Sequence, residues 1–249
     1  MSKPRVFVAG ATGLTGRFLV EAFCARGVPT MAHIRPDSSR RDEWSARFTA
    51  LGAEVSTAVW AVDDMHSALS EFGATLVYGC LGTTKKRAGR GDGDYEAVDY
   101  GLTVMLMDAA SRMTTQPAFI YISAVGVSPD VTNAYLQVRA KVEARLEASD
   151  LTTLVVRPSF ITGPRDDARP LETIGASVSD SLLAGLGVLG LKRWTGKFRT
   201  LTGQQLAQGI AQLGIDGFER DRIVFVPDIE KAQARWAISM GTQVTSESV

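Results

Sequence analysis

Val6-Phe7-Val8-Ala9-Gly10-Ala11-Thr12-Gly13-Leu14-Thr15-Gly16 opens the chain with a short apolar run, a turn of spaced glycines and the first residues of a helical pattern. All four side chains of the run are apolar, as in a strand buried on both faces. Gly10 permits a tight turn, Gly13 lets the backbone approach a ligand, and Gly16 allows close packing of helix on strand. From Leu14 to Arg26, Leu14, Phe18, Ala22 and Ala25 fall on one helical face, and Gly27 ends the helix before a second apolar run at 30–34. Spaced glycines alone join strands to helices in many folds. Between a strand and an amphipathic helix they point to a pyrophosphate, held by amides at the helix N-terminus. The turn from Gly10 to Gly16, including Thr12, Leu14 and Thr15, is therefore the candidate dinucleotide site.

Outward from this unit the alternation continues. Strands are expected at 54–59, 74–80, 119–123 and 153–157, and helices at 65–72, 95–113 and 133–149. Strands alternating with helices make a parallel sheet through right-handed crossovers. The expected fold is α/β, a Rossmann-type doubly wound parallel sheet with helices on both faces. Residues 164–200 are irregular; a helix at 203–213, a strand at 223–226 and a helix at 230–240 follow. One domain over 1–249 is expected. Its cofactor-binding core runs over about 5–163, and a small region over about 164–249 covers the substrate and completes the sheet.

Composition narrows the function. Lys plus Arg number 27 and Asp plus Glu number 27, so no basic excess is available for a phosphate backbone, and nucleic acid is not an expected partner. The longest apolar run, LLAGLGVLGL at 182–191, has ten residues, half of what a membrane span requires. It reads as a buried or lid segment, and docking on a partner or a membrane surface is the other possibility. The N-terminus lacks a secretory signal, and Cys24 and Cys80 form no CxxC pair, so a cytoplasmic protein is expected. His33 and His66 stand in no metal-binding pattern, and no metal is expected.

The end of the second strand meets the adenosine ribose in this architecture, where an acid binds the 2′-hydroxyl and an arginine favours a 2′-phosphate. Here Arg35 stands at that place, followed by Ser38, Ser39 and Arg40, while the nearest acid, Asp37, lies beyond Pro36. This set matches a phosphate, so NADP(H) is expected in preference to NAD(H). A solvated basic loop is the bland alternative.

GATGLTG, YISAVG, YLQVRAKVE and RPSFITGPR occur in this order, with CLGTT at 80–84 and Val98-Asp99 between the first two. Together they resemble the extended and atypical branch of the short-chain dehydrogenase/reductase superfamily, most closely the Tat-interactive-protein-like oxidoreductases and their bacterial relatives. The resemblance covers about residues 5–170. It implies that Leu81, Gly82 and Thr83 line the cofactor, that Asp63 or its neighbours meet the adenine, and that Pro158, Phe160 and Ile161 pass the nicotinamide amide. It casts Ser123 as the hydroxyl that orients a substrate carbonyl and Tyr135 as the acid that protonates the substrate oxygen. Ser123 ends a strand at the carboxyl edge and Tyr135 starts the next helix, which suits ligand binding in open α/β sheets.

The chain departs from the family pattern four residues after the tyrosine, where lysine is replaced by Arg139. Residues i and i+4 share a helix face, so Arg139 lies beneath Tyr135 and supplies the same positive charge to orient the ribose. Lys141 points elsewhere. Arginine does not deprotonate, so a proton relay through it is impaired. Three readings stay open: an NADP-dependent oxidoreductase acting on a small carbonyl or hydroxyl substrate through Ser123, Tyr135 and Arg139; an NADP(H)-binding redox sensor that contacts a regulatory protein partner; and an enzyme like the nucleotide-sugar epimerases. The helices at 95–113 and 133–149 would form the face of a homodimer by the same resemblance. The run KKRAGRGDGD at 85–94 reads either as a loop clamping an anionic substrate or as a solvated surface.

Overall fold

The computed structural model describes residues 3–82, 95–159, 161–162 and 200–246, with side chains to residue 241. The seven-stranded sheet comprises β1 (Val6–Ala9), β2 (Thr30–His33), β3 (Glu54–Ser56), β4 (Leu76–Gly79), β5 (Ala118–Ile122), β6 (Thr153–Arg157) and β9 (Arg222–Phe225). A separate ribbon pairs β7 (Ile161–Thr162) with β8 (Leu201–Thr202). The order in the large sheet is β3-β2-β1-β4-β5-β6-β9, and every pairing is parallel. This is the expected Rossmann-type sheet, and its winding reverses between β1 and β4. Ligands bind at the carboxyl ends of the strands at such a reversal.

Successive strand residues face opposite sides, and the sheet therefore separates two cores. Val6, Val8, Ile120 and Val156 pack under α1 (Leu14–Ala25), α2 (Arg41–Ala50), α6 (Gly203–Asp216) and α7 (Val226–Ser246). Phe7, Val77, Phe119 and Tyr121 pack under α3 (Val62–Phe72), α4 (Leu102–Ser111) and α5 (Ala134–Glu147). Helix α6 lies close to the sheet because Gly214 leaves room for Tyr78, whose hydroxyl donates to the Ile210 carbonyl at 3.2 Å. The C-terminal elements thus finish the core begun by β1.

Besides the β7–β8 ribbon and a last helix that starts at Val226 rather than 230, three elements differ from the sequence expectation. Helix α2 was not foreseen, because Trp44 and Phe48, one turn apart, are its buried residues and its other positions are mostly polar. Strand β3 stops at Ser56: beyond it the Ala58 carbonyl accepts from His33 Nε2 at 2.9 Å and the Ala58 amide donates to Ser56 Oγ, so side-chain bonds replace the ladder. The helix expected at 95–113 begins as a π turn over Glu96–Gly101. Such turns are wider than an α turn and recur at functional sites; here Asp99 sits within the turn, 1% exposed. The 182–191 run and the 85–94 loop lie outside the described residues. Among the described residues no helix is long and apolar enough to cross a membrane, and no cluster of acids, histidines and cysteines is placed to hold a metal.

Candidate functional site

The glycine turn is made by backbone. Gly10 has φ +75°, in the left-handed region, and a Cβ there would stand 2.5 Å from the Cys80 carbonyl oxygen. A Cβ on Gly16 would collide with the Gly10 carbonyl oxygen, so helix and turn touch directly. Gly13 is less confined, with 3.2 Å to the same oxygen, and it caps α1 without a side-chain hydrogen bond. Helix α1 carries no acid in its first turn. Its N-terminal amides and positive dipole end are left to an anion. Thr12, Leu14 and Thr15 are half-buried along this rim.

Contacts lead from the turn to the helix that carries Tyr135. Gly10 abuts Cys80 and Leu81 at the end of β4, and a Cβ on Gly82 would stand 3.3 Å from Arg139 Nη2 and 3.5 Å from Asp99 Oδ1. Arg139 and Asp99 form a buried ion pair at 3.1 Å. Arg139 Nη1 donates to the Tyr121 hydroxyl at 3.1 Å and to the Ile122 carbonyl at 2.5 Å. The guanidinium lies 4.6 Å from the centroid of the Tyr135 ring, and Tyr95 meets that ring edge-on at 5.6 Å. Burial opposes the charge on Arg139, but Tyr121, Tyr135 and Asp99 outweigh it and push its pKa up. Burial likewise pushes the Tyr121 hydroxyl up, against the opposing pull of Arg139. The site therefore holds one fixed cation, its fixed counter-anion and a half-buried tyrosine.

Ser123 follows β5 and is 3% exposed. Its hydroxyl donates to Glu143 Oε1, and Arg157 Nε and Nη2 donate to the same carboxylate at 3.1 and 2.5 Å. Glu143 lies eight residues beyond Tyr135 on α5, about 12 Å along the axis. The structure thus joins Ser123 to Glu143 and Arg157, and Arg139 to Tyr135.

At the adenosine end, Arg35 is exposed and lies 3.6 Å from Asp37. Ser38 belongs to a turn, its amide donating to the Arg35 carbonyl. Asp63, in the first turn of α3, is exposed and pairs with Arg112 at 2.7 Å. Burial lowers the pKa of His33, at the end of β2, against the opposing pull of its bond to the Ala58 carbonyl, and its ring meets Trp60 edge-on at 4.8 Å. Pro158 is buried and its carbonyl accepts from the Val125 amide, while Ile161 pairs with Leu201 in the small ribbon. Thr83 and Phe160 lie outside the described residues. Burial pushes the thiols of both free cysteines, Cys24 and Cys80, up, away from nucleophilic character.

These residues fit a dinucleotide: a cradle that a Cβ would fill, an open helix N-terminus, and a buried Arg139 Nε with no acceptor among the described residues. A family profile described as NAD(P)H-binding matches residues 10–181. The chain belongs to the NAD(P)H-binding family. Among its relatives is protein fmp52-1, mitochondrial, of Aspergillus oryzae, 30% identical over 66% of this chain and 68% of that protein. The Aspergillus terreus protein of the same name is 26% identical over 75% of this chain and 78% of its own length. Both relatives are named mitochondrial, which overturns the cytoplasmic expectation. Two cysteines without a disulfide pattern argue against an oxidising compartment but do not choose among reducing ones.

Solved structures share the fold of this NAD(P)H-binding chain. The Bordetella bronchiseptica enzyme WbmH, solved with NAD+, matches with TM-score 0.63 at 14% identity, over 90% of this chain and 76% of that one. A Bacillus halodurans protein provisionally described as an NAD-dependent epimerase/dehydratase matches with TM-score 0.65 at 19% identity, over 93% and 99%. Sequence reasoning missed the parts played by Asp99, Tyr121 and Glu143. One signal for Glu143 was present: Tyr135, Arg139 and Glu143 recur every fourth residue along one flank of a helix.

Proposed function

We propose that this protein is an oxidoreductase that interconverts a small carbonyl compound and its alcohol and uses NADP(H) in preference to NAD(H). The observation that carries the reading is the guanidinium of Arg139, locked 4.6 Å from the Tyr135 ring. Bound NADPH would supply the hydride, with the Gly10–Gly16 turn holding its pyrophosphate and Arg139 Nε facing its ribose. Tyr135 gives its hydroxyl proton to the substrate oxygen, and the fixed charge of Arg139 steadies the phenolate that remains. Ser123 contributes less. To donate to a substrate carbonyl it must leave Glu143, and a hydrogen bond to a charged group is worth about 1.5–3 kcal/mol. The preference for NADP(H) is supported by Arg35, exposed and paired among the described residues with a surface carboxylate at 3.6 Å, an ion pair worth under about 1 kcal/mol that a dianionic phosphate outcompetes.

One observation favours a non-catalytic NADP(H) sensor acting through a protein partner. Asp99 already balances Arg139, and arginine does not pass a proton onward. Turnover decides between the two. With NADPH and a panel of aldehydes, ketones and quinones, Tyr135→Phe removes reductase activity while the NADPH Kd stays within about twofold, because the lost hydroxyl acts in the transition state. Arg139→Lys keeps or raises the rate. Wild type and Arg139→Lys both inert across the panel, or Tyr135→Phe as active as wild type, sinks the enzyme reading.

A further inference from the structure

The guanidinium of Arg139 has three nitrogens, and the fold uses two of them. Nη1 is held by the Tyr121 hydroxyl and the Ile122 carbonyl, and Nη2 by the Asp99 carboxylate. Nε is buried and has no acceptor among the described residues. A guanidinium donates in a fixed planar fork, so two held corners leave the direction of the third N–H no freedom. A buried donor without an acceptor is costly, because it gives up water and gains nothing in return. A group that is both costly and held in place is explained by a ligand that completes it. Gly82, whose Cβ would stand 3.3 Å from Nη2, brings the end of β4 against the pair, on the side where the glycine turn meets Cys80 and Leu81.

The geometry points to Asp99 as a positioning residue: presented by the π turn at Glu96–Gly101, it fixes Arg139 so that its buried Nε–H is offered to a hydroxyl of the bound cofactor's ribose. Asp99 does not touch the cofactor. It acts through the orientation and the charge of Arg139, and the π turn is what carries a carboxylate to 1% exposure at this point. The assignment deepens the role given to Arg139 above, but it rests on cofactor binding alone. A protein that binds NADPH and turns nothing over leaves it standing.

The test separates positioning from plain stability by restoring charge balance without restoring the donor. Four full-length proteins are compared by calorimetric titration with NADPH and by urea unfolding: wild type, Asp99→Asn, Arg139→Met and the double variant. Each single change leaves one buried charge unmatched and lowers the unfolding midpoint, whereas the double variant is neutral again and recovers most of it. Affinity behaves differently. Asp99→Asn weakens NADPH about tenfold, and the double variant binds no better than Arg139→Met, because methionine has no N–H to donate. NADPH affinity equal to wild type in Asp99→Asn, or recovered in the double variant along with stability, overturns the proposal and makes the pair purely structural. Should Asp99→Asn fail to fold, Tyr121→Phe keeps the buried ring and removes a second acceptor of Nη1. A several-fold loss of NADPH affinity is expected there, and an unchanged Kd overturns the assignment. A wild type that binds neither NADPH nor NADH removes it together with the dinucleotide site.

Discussion

The two ends of the candidate site are built in opposite ways. At the turn from Gly10 to Gly16 the protein offers backbone: side chains are absent where they would collide, and the N-terminus of α1 supplies the field. Between β5 and α5 it offers side chains: Arg139 with Asp99, and Glu143 with Arg157, are ion pairs largely withdrawn from water. A site made of missing atoms tolerates no addition. A site made of paired charges tolerates no single removal, because the partner left behind is buried and uncompensated.

The sharpest way to break this contrast is to add atoms to the turn. Gly16→Val should destabilise the fold by about 3 kcal/mol, since the neighbouring backbone does not yield as a side chain does, and urea denaturation measures it. Gly13→Ala, with 3.2 Å of clearance, should leave the unfolding midpoint nearly unchanged while weakening NADPH in titration. If both changes affect folding equally, the turn is a structural element and not a ligand cradle.

Removing one charge sharpens the other half. Glu143→Gln should cost about 2–3 kcal/mol, less than for a fully buried pair because its side chain and that of Arg157 are 11% and 18% exposed. The same change at Lys141, whose pair with Glu96 lies in solvent, should cost under about 0.5 kcal/mol. Similar losses in the two variants would show that burial is not what makes the charges matter. At the adenosine end, Arg35→Ala should reduce the ratio of NADPH to NADH affinity about tenfold or more, as expected for a lost charge-assisted contact to phosphate. NADH binding should barely change.

The smallest expected effect is a pH dependence. Burial lowers the pKa of His33 below its ordinary 6.5. The unfolded chain therefore takes up a proton at a pH where the folded one does not, and stability falls as pH drops below about 6.5. Thermal unfolding at pH 7 and pH 5 should show a smaller difference for His33→Gln than for wild type. An equal difference would assign the slope to the carboxylates instead.

Legibility in the sequence followed the same division. Backbone requirements leave local marks, because only glycine fits certain places, and the turn, the strands beside it and the winding could be read directly. Helix α2 could not, since two aromatic residues one turn apart carry too little pattern. Around α5 the residue types Ser123, Tyr135 and Arg139 were visible, but their partners come from 40, 18 and 20 residues away: Asp99 to Arg139, Tyr121 to Arg139, Glu143 to Ser123. Spacing along a chain says nothing about which distant charges will meet.

The sequence by itself thus determined the doubly wound parallel sheet and the place of the glycine turn, because short apolar runs, helical apolar patterns and glycine sterics act within a few residues. Only the tertiary structure decided which charges are matched at the site. It turned Ser123 toward Glu143, set Asp99 against Arg139 through a π turn and left Nε without an acceptor among the described residues. Those outcomes depend on burial, which strengthens every charge interaction and exists only once the two faces of the sheet are covered.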